Sequence, residues 1–322
     1  MVSKDIIEQN LQNCLDDTSF LPLPNRKKGK VRDTYDLGDK LLLITTDRQS
    51  AFDRILADIP FKGQVLNQVS AFWFEQTRDI VPNQVIDIPD PNATLAKKCT
   101  VLPIEFVVRG YLTGTTDTSA WMQYSKGNRN LCGNKLPEGM KKNQKFEKPI
   151  LTPTTKSDLH DESISPEEIL KRGLIEKAVW EQCESIVFKL FERGMHIAAF
   201  HDLILVDTKY ELGLDAEGKV MLIDEIHTPD SSRYWLAESY PSRFRSGQEP
   251  ENIDKEFLRL WFKDHCDPYK DKVLPAAPKE LVMELSSRYI KLYEMITGKE
   301  FEIDTSVPLR DRLLKNLRKF GT

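Results

Sequence analysis

The chain predicts an α+β fold. Short apolar-rich runs come in pairs joined by turn residues, as antiparallel hairpins require. Between and after these pairs lie stretches with helical apolar spacing, and the two kinds of element mix without strict alternation.

The first pair covers residues 31–37 and 41–45, with Gly38-Asp39 supplying the turn. Residues 63–78 follow as a helix, because Val65, Val69, Phe72 and Trp73 recur at helical spacing. Residues 106–108 read as a strand that ends at Arg109-Gly110. From 127 to 161 the composition shifts toward Lys, Asn, Gly and Pro with little periodicity, which predicts a long irregular loop. Ser165-Pro166-Glu167-Glu168 is a capping box with proline at the first helical position, so a helix starts there. That helix carries Val179, Ile186 and Leu190, and Gly194 is its expected stop. Residues 203–206 and 220–223 form a second strand pair, with 215–218 as the turn. Val282, Leu285, Tyr289, Leu292, Tyr293 and Ile296 then stripe one face of a final amphipathic helix.

Of the 322 residues, 40% are apolar and 30% charged, which suits a globular chain long enough for one large or two ordinary domains. The net charge of −4 excludes an overall basic surface for a nucleic-acid backbone, so phosphate recognition must come from local Lys and Arg clusters. No stretch reaches the ~20 consecutive apolar residues that span a bilayer. Residues 1–15, interrupted by Lys4, Asp5 and Glu8, lack the apolar core of a signal peptide. Neither nucleic acid nor membrane is therefore an expected partner. Cys14, Cys99, Cys132, Cys183 and Cys266 are scattered without CxxC spacing; no zinc site or disulfide framework is expected, and a reducing cytoplasm fits.

Five segments carry side chains with chemistry. In Lys27-Lys28-Gly29-Lys30-Val31-Arg32 a glycine among cations lets the backbone approach phosphates while Lys30 and Arg32 project from one face. A charge run is usually a solvated basic loop, which accounts for the same residues, and neither a Walker A sequence nor GxGxxG occurs. Arg109-Gly110-Tyr111-Leu112-Thr113-Gly114-Thr115-Thr116 has the makings of an anion-binding nest, or of an ordinary turn. Asp207, Lys209 and Glu211 alternate onto one face of an extended strand, and the return strand ends at Asp224-Glu225. If the two strands pair, their carboxylates converge, and such carboxylates repel unless a cation lies between them. Hard oxygen ligands of that kind suit Mg²⁺ bridging nucleotide phosphates; surface cross-strand ion pairs would account for the same residues. Thr228-Pro229-Asp230-Ser231-Ser232-Arg233 is a tight turn whose hydroxyls and Arg233 suit a phosphate or carboxylate. In the segment from Lys156 to Ser163, His160 beside acids is a candidate base or metal ligand, although a lone loop histidine is usually neither. His196, His201, His227 and His265 have no ligand-like spacing.

Taken together these segments resemble the SAICAR synthetase (phosphoribosylaminoimidazole-succinocarboxamide synthase) family. The stretches that carry the resemblance are GKVRDTYDLGDKLLLITTDRQSAFD, VLPIEFVVRGYLTGT, LPEGMKKNQKFEKPILTPTTKSDLHDESISPEE, LILVDTKYELG and DEIHTPDSSRYW, with ENIDKEFLRLW and RYIKLYEMITGKEF after them. They run in the family's order and cover nearly the whole chain; LVDTKYELG and TPDSSRYW are highly specific to it.

The resemblance implies two α+β lobes with an ATP cleft between them, an arrangement like that of protein kinases and ATP-grasp enzymes. Residues 1–101 would form the nucleotide-binding lobe, and 102–322 the lobe with the ribotide, magnesium and aspartate sites and the terminal helices. It implies the reaction as well: ATP phosphorylates the carboxylate of 5-aminoimidazole-4-carboxylate ribotide, and the amine of L-aspartate displaces phosphate, a step of purine biosynthesis. Mg²⁺ is the implied cofactor and ATP the co-substrate. Gly29, Lys30 and Arg32 match the segment at the ATP phosphates, Val101 and Leu102 the segment at adenine, and Glu105 joins the ATP set. Arg109, Thr115, Ser232 and Arg233 match ribotide-phosphate contacts. Glu211 and Asp224 match the magnesium-binding acids, with Asp207 close by. Lys156, Asp158, His160 and Asp161 match a polar loop near the reacting groups, where His160-Asp161 would take a proton from the aspartate amine; Lys209 joins this catalytic set.

Two departures stand out. His201-Asp202 precedes the LILVDTK strand where the family often has glycine, and Thr115 stands where serine is common. Both keep a polar group. A phosphotransferase acting on a hydroxyl would need HRD-like and DFG segments, which the chain lacks. A non-catalytic nucleotide-binding protein would be expected to lose acids such as Glu211 and Asp224, and both remain.

Overall fold

The hairpin expected around Gly38 lies in the middle of an antiparallel sheet. The computed structural model describes residues 2–52, 54–116, 118–156, 162–253 and 255–321. Its contacts divide the chain into two units, one of Met1–Phe74, Val85–Lys98 and Ile253–Thr322, the other of Glu75–Gln84 and Cys99–Asn252. These units differ from a single cut between 101 and 102, because the C-terminal segment clusters with the N-terminal one.

In the first unit the strands are β1 (Arg26–Lys28), β2 (Arg32–Asp36), β3 (Lys40–Thr45), β4 (Arg48–Ala51), β5 (Arg54–Asp58), β6 (Val85–Asp90) and β7 (Ala93–Lys97). Five of them form a sheet in the order β1-β2-β3-β7-β6, and β4 pairs with β5 apart from it. Alternation along β2 and β3 buries Tyr35, Leu42 and Ile44 with Leu15, Leu21, Ala93 and Leu95. The helix Lys62–Gln76 covers most of the expected span, burying Val65, Val69 and Trp73, with Phe72 half-buried. The helix Lys279–Thr297 buries Val282, Leu285, Tyr289, Leu292 and Ile296, and Gly298 caps it in the left-handed region. It is not the last helix, as the periodicity had suggested. Leu309–Leu317 follows, adds Leu313 and Leu317 to the sheet's core, and ties Arg312 to buried Asp90.

The second unit is built on β8 (Thr100–Leu112) and β13 (Leu203–Leu214), which pair antiparallel along most of their length. Between them in sequence come β9 (Asn130–Leu131), β10 (Asn134–Lys135), β11 (Gln144–Leu151) and β12 (Thr154–Thr155); β14 (Val220–Ile223) and β15 (Ser232–Leu236) follow. The sheet order is β11-β8-β13-β14, with β12 also on β8 and β15 also on β13. The expected 127–161 loop is thus interrupted by four short strands, with turns and irregular backbone between them. These strands are two to eight residues long, and β11 shifts register between Lys145 and Ile150. Runs that short and irregular leave no period to read. The strand expected to end at Arg109 continues to Leu112, because Gly110 and Tyr111 remain in the ladder's extended run.

The capping box also behaves differently from its expectation. Ser165 does cap a helix by accepting from the Glu168 N–H, but that helix is only Pro166–Lys171. Glu168 turns its carboxylate to Arg172 instead of back to the cap. A separate helix, Lys177–Phe200, packs across β13 and β8, with Trp180 stacked on Phe106. Gly194 does not stop it. A Cβ there would lie 2.4 Å from His227 Cε1 and 2.6 Å from Leu205 Cδ2, so glycine permits a close approach of helix to sheet.

Candidate active site

The register of β8 against β13 sets the site. Arg109 faces Asp207, Val107 faces Lys209, and Glu105 faces Glu211. Directly opposed residues share a sheet face, and so do alternate residues along a strand. One face therefore carries an arginine, a lysine and three carboxylates in an apolar sheet. Two groups form there.

The first group is an arginine pair around one carboxylate. β15 lies on the other side of β13 from β8 and puts Arg233 opposite Asp207 as well. The Arg233 Nε donates to Asp207 Oδ1 at 3.0 Å, and its Nη2 lies 3.0 Å from Oδ2. Arg109 Nη1 donates to the same Oδ2 at 3.4 Å, and its Nε to the Thr152 hydroxyl at 2.8 Å. Burial lowers the Arg109 pKa, Asp207 opposes that effect, and nearby Arg233 adds to it. Two guanidiniums against one carboxylate leave an excess positive charge, which suits an anion. Ser232 lies beside them, its hydroxyl 2.7 Å from that of Thr208. Arg109 and Arg233 thus sit in strands and not in the turns that their glycine- and serine-rich neighbours suggested.

The second group is a ladder of alternating charge. Lys209 Nζ donates to Glu105 Oε1 at 2.6 Å and to Glu211 Oε1 at 2.9 Å, and Lys156 Nζ donates to Glu211 Oε2. Burial works against charge on Lys209, but Glu211, Glu105 and Asp224 outweigh it and raise its pKa. Burial likewise works against charge on Glu211, and the two ammonium groups prevail, holding its carboxyl below the usual range. Asp224 follows β14 at a φ of 63°, close enough to act on Lys209. The three carboxylates expected to converge do not. Four residues of extended strand separate Asp207 from Glu211 by roughly 13 Å, and Asp207 is taken up by arginines. Among the described residues no group of three His, Cys, Asp or Glu could hold a metal ion. Glu211 and Asp224 remain as a pair, and their donor chemistry fits Mg²⁺: one or two carboxylates suffice for a cation that completes its shell with phosphates and water.

The other expected residues fall as follows. Val101 and Leu102 open β8, Val101 exposed and Leu102 buried. Thr115 follows that strand, half-buried. Asp158, His160 and Asp161 lie outside the described residues. Gly29 and Lys30 form the exposed turn between β1 and β2, and Arg32 starts β2. Sequence reasoning passed over Arg48, a fully buried arginine that reaches this turn, and Thr152, which orients Arg109. Neither had a local signal beyond a polar residue next to an apolar run.

The SAICAR synthetase family model matches residues 25–276. The phosphoribosylaminoimidazole-succinocarboxamide synthase of Legionella pneumophila (strain Paris) is 61% identical over 308 residues, 95% of this chain and 98% of the relative. A solved SAICAR synthase from Saccharomyces cerevisiae in complex with SAICAR is 31% identical, with a TM-score of 0.78, covering 90% of this chain and 100% of its own. A solved SAICAR synthetase in complex with ADP is 25% identical, with a TM-score of 0.66, covering 87% of this chain and 100% of its own. The match spans most of the chain and nearly all of these relatives, and it includes both groups on the sheet face; the chain belongs to the SAICAR synthetase family.

Proposed function

We propose that the chain is an ATP-dependent carbon–nitrogen ligase of purine biosynthesis that joins L-aspartate to 5-aminoimidazole-4-carboxylate ribotide. The observation that carries this reading is the pair of groups on one sheet face: an arginine pair for a phosphate, and next to it a Lys–Glu ladder for reacting charge. Membership in a family whose solved members hold SAICAR and ADP supports it.

In the proposed reaction a ribotide carboxylate oxygen attacks the γ-phosphorus of ATP and ADP leaves, giving an acyl phosphate. The aspartate amine then attacks the acyl carbon, phosphate leaves with the former carboxylate oxygen, and the amine gives up a proton. A free carboxylate is a poor electrophile, so the chain's task is to align three substrates and neutralise phosphate charge. Arg109 and Arg233, with Ser232 and Thr115, grip the ribotide phosphate. Gly29, Lys30 and Arg32 meet the ATP phosphates, Val101 and Leu102 the adenine, and Glu105 completes the nucleotide set through Lys209. Glu211 and Asp224 would hold Mg²⁺, which supplies charge neutralisation at the phosphates when bound. Lys156, released from Glu211, and Lys209 then face the transferring phosphoryl group. His160 and Asp161 receive the amine proton in this scheme, with Asp158 in the same polar loop. The two-lobed nucleotide cleft, with residues 1–101 as the nucleotide lobe, and a cytoplasmic setting belong to the same proposal.

The test is direct. Purified protein with ATP, Mg²⁺, aspartate and the carboxylated ribotide should sustain ADP release over many turnovers only when aspartate and ribotide are both present. Sustained ADP release independent of either would overturn the reading.

A further inference from the structure

The stretch TTDRQSAFD belongs to the family resemblance, yet the proposed function gives it no part. Its buried members converge on the Gly29–Arg32 turn. Arg48 is 1% exposed and Thr46 0%. The Arg48 Nη2 donates to the Gly29 carbonyl at 3.0 Å and its Nε to the Lys30 carbonyl at 3.2 Å. Thr46 donates to the next carbonyl, that of Val31, twice: from its hydroxyl at 2.5 Å and from its backbone N–H at 2.9 Å. Three consecutive peptide carbonyls are thus turned to one side by two buried residues.

That orientation dictates the other side of the turn. A trans peptide is planar, with its C=O and the following N–H pointing in opposite directions, and the described chain has no cis peptide. With the Gly29 and Lys30 carbonyls turned toward Arg48, the N–H groups of Lys30 and Val31 point away from it. Successive N–H groups aimed the same way form an anion-binding concavity. The turn closes tightly enough that a Cβ on Gly29 would lie 2.4 Å from the Arg32 carbonyl oxygen, and the Gly29 N–H donates to that oxygen at 2.9 Å.

Arg48 is itself held in place. Its Nη2 pairs with the Asp33 carboxylate at 2.6 Å, its Nη1 donates to the Asp16 carbonyl at 2.7 Å, and Lys62 Nζ donates to its carbonyl at 3.0 Å. Asp33, buried and also bonded by Arg26 and Thr18, stays charged below the usual carboxylate range despite burial.

We propose that Arg48 and Thr46 are positioning residues, which hold the Gly29–Arg32 turn with its amides aimed at a nucleotide's phosphates. This rests on the reading of that turn as the ATP-phosphate segment. Neither side chain touches the nucleotide; each acts through the backbone it binds. Lysine cannot replace Arg48, because one ammonium cannot span two successive carbonyls, the Asp16 carbonyl and Asp33 in the planar fork that guanidinium offers.

The test uses the full chain and two probes, ADP and adenosine, with affinities read by calorimetry and competition. Thr46→Val keeps the side-chain shape and removes the hydroxyl donor. It should weaken ADP about tenfold, the worth of one well-placed hydrogen bond, while leaving adenosine affinity and the KM for the ribotide unchanged. Arg48→Lys should weaken ADP further in the same selective way; if it does not fold, Thr46→Val carries the test alone. Lys30→Ala separates this claim from the reading beneath it. If Lys30→Ala loses ADP and folded Thr46→Val does not, the positioning role is overturned and the phosphate turn stands. If neither loses ADP, the turn does not bind phosphates and both fall. Equal losses for ADP and adenosine in Thr46→Val would mean general loosening and would also overturn the proposal.

Discussion

A carboxylate bound by two guanidiniums has little capacity left for a metal. Asp207 accepts from the Arg233 Nε through Oδ1 and from Arg109 through Oδ2, which also lies 3.0 Å from the Arg233 Nη2, so its replacement should act on anion binding. In Asp207→Asn the two arginines lose the charge that holds them together, and breaking such a buried arrangement is costly. The KM for the ribotide should rise about tenfold or more, as loss of a charge-assisted contact implies, with the KM for ATP and the Mg²⁺ requirement little changed. A raised Mg²⁺ requirement would return Asp207 to the metal acids. Glu211→Gln and Asp224→Asn should instead abolish turnover while leaving the fold intact, since loss of one metal contact costs several kcal/mol of transition-state charge stabilisation, of order 10³-fold or more in rate; near-normal turnover at ordinary Mg²⁺ would contradict the assignment. Each of these residues drew notice in the sequence, and the resemblance grouped Arg109 with Arg233 and Glu211 with Asp224; the placing of Asp207 between the two arginines and of Glu105 against Lys209 was not legible. Alternation within one strand places Asp207, Lys209 and Glu211 on a face, whereas their partners Arg109, Glu105 and Arg233 come from strands whose register no local pattern states.

At the level of elements, Gly194 separates propensity from packing. Alanine is the better helix former by about 1 kcal/mol, yet its methyl group would press on the ring of His227 and on Leu205. Overpacking of this kind costs typically 1–3 kcal/mol, about equal to or above the propensity gain. With two contacts under 3 Å the cost should prevail, so Gly194→Ala should lower the melting temperature; an unchanged or higher value would show that the helix can move off the sheet. Asp47 offers a pH test. Its fully buried carboxyl accepts the Leu15 and Gly63 N–H groups, and burial outweighs them to raise its pKa to about 6. A carboxyl whose folded pKa is raised binds its proton more tightly in the folded state, so its contribution to stability grows as pH falls through 6. Relative to Asp47→Asn, which does not titrate there, the native chain should gain about 1 kcal/mol between pH 7.5 and pH 5. A constant difference across that window would contradict the burial argument. The hairpin at Gly38 and the helices at 62–76 and 279–297 were legible because period and turn chemistry are local. The strands of the 130–155 region were not: β9 and β10 are two residues each and pair only with each other, while β11 and β12 pair with β8 and the register shift in β11 breaks its alternation.

For the whole molecule, composition set the class and the motifs set the reaction. A net charge of −4 leaves phosphate recognition to local clusters, and the described structure has them: the arginine pair around Asp207 and the basic turn at Gly29–Arg32. No described helix is long and apolar enough to cross a membrane, and the five cysteines form no disulfide. In the proposed function these clusters serve a ligation that passes through an acyl phosphate on the ribotide carboxylate. In that chemistry one carboxylate oxygen must leave with phosphate. A kinase acting on a hydroxyl would keep the substrate oxygen in its phosphorylated product, and a binding protein would transfer none. The decisive measurement uses ribotide labelled with ¹⁸O in the carboxylate, converted fully in the presence of ATP, Mg²⁺ and aspartate. Inorganic phosphate should carry one ¹⁸O per amide formed; unlabelled phosphate alongside the expected succinocarboxamide would rule out the acyl phosphate.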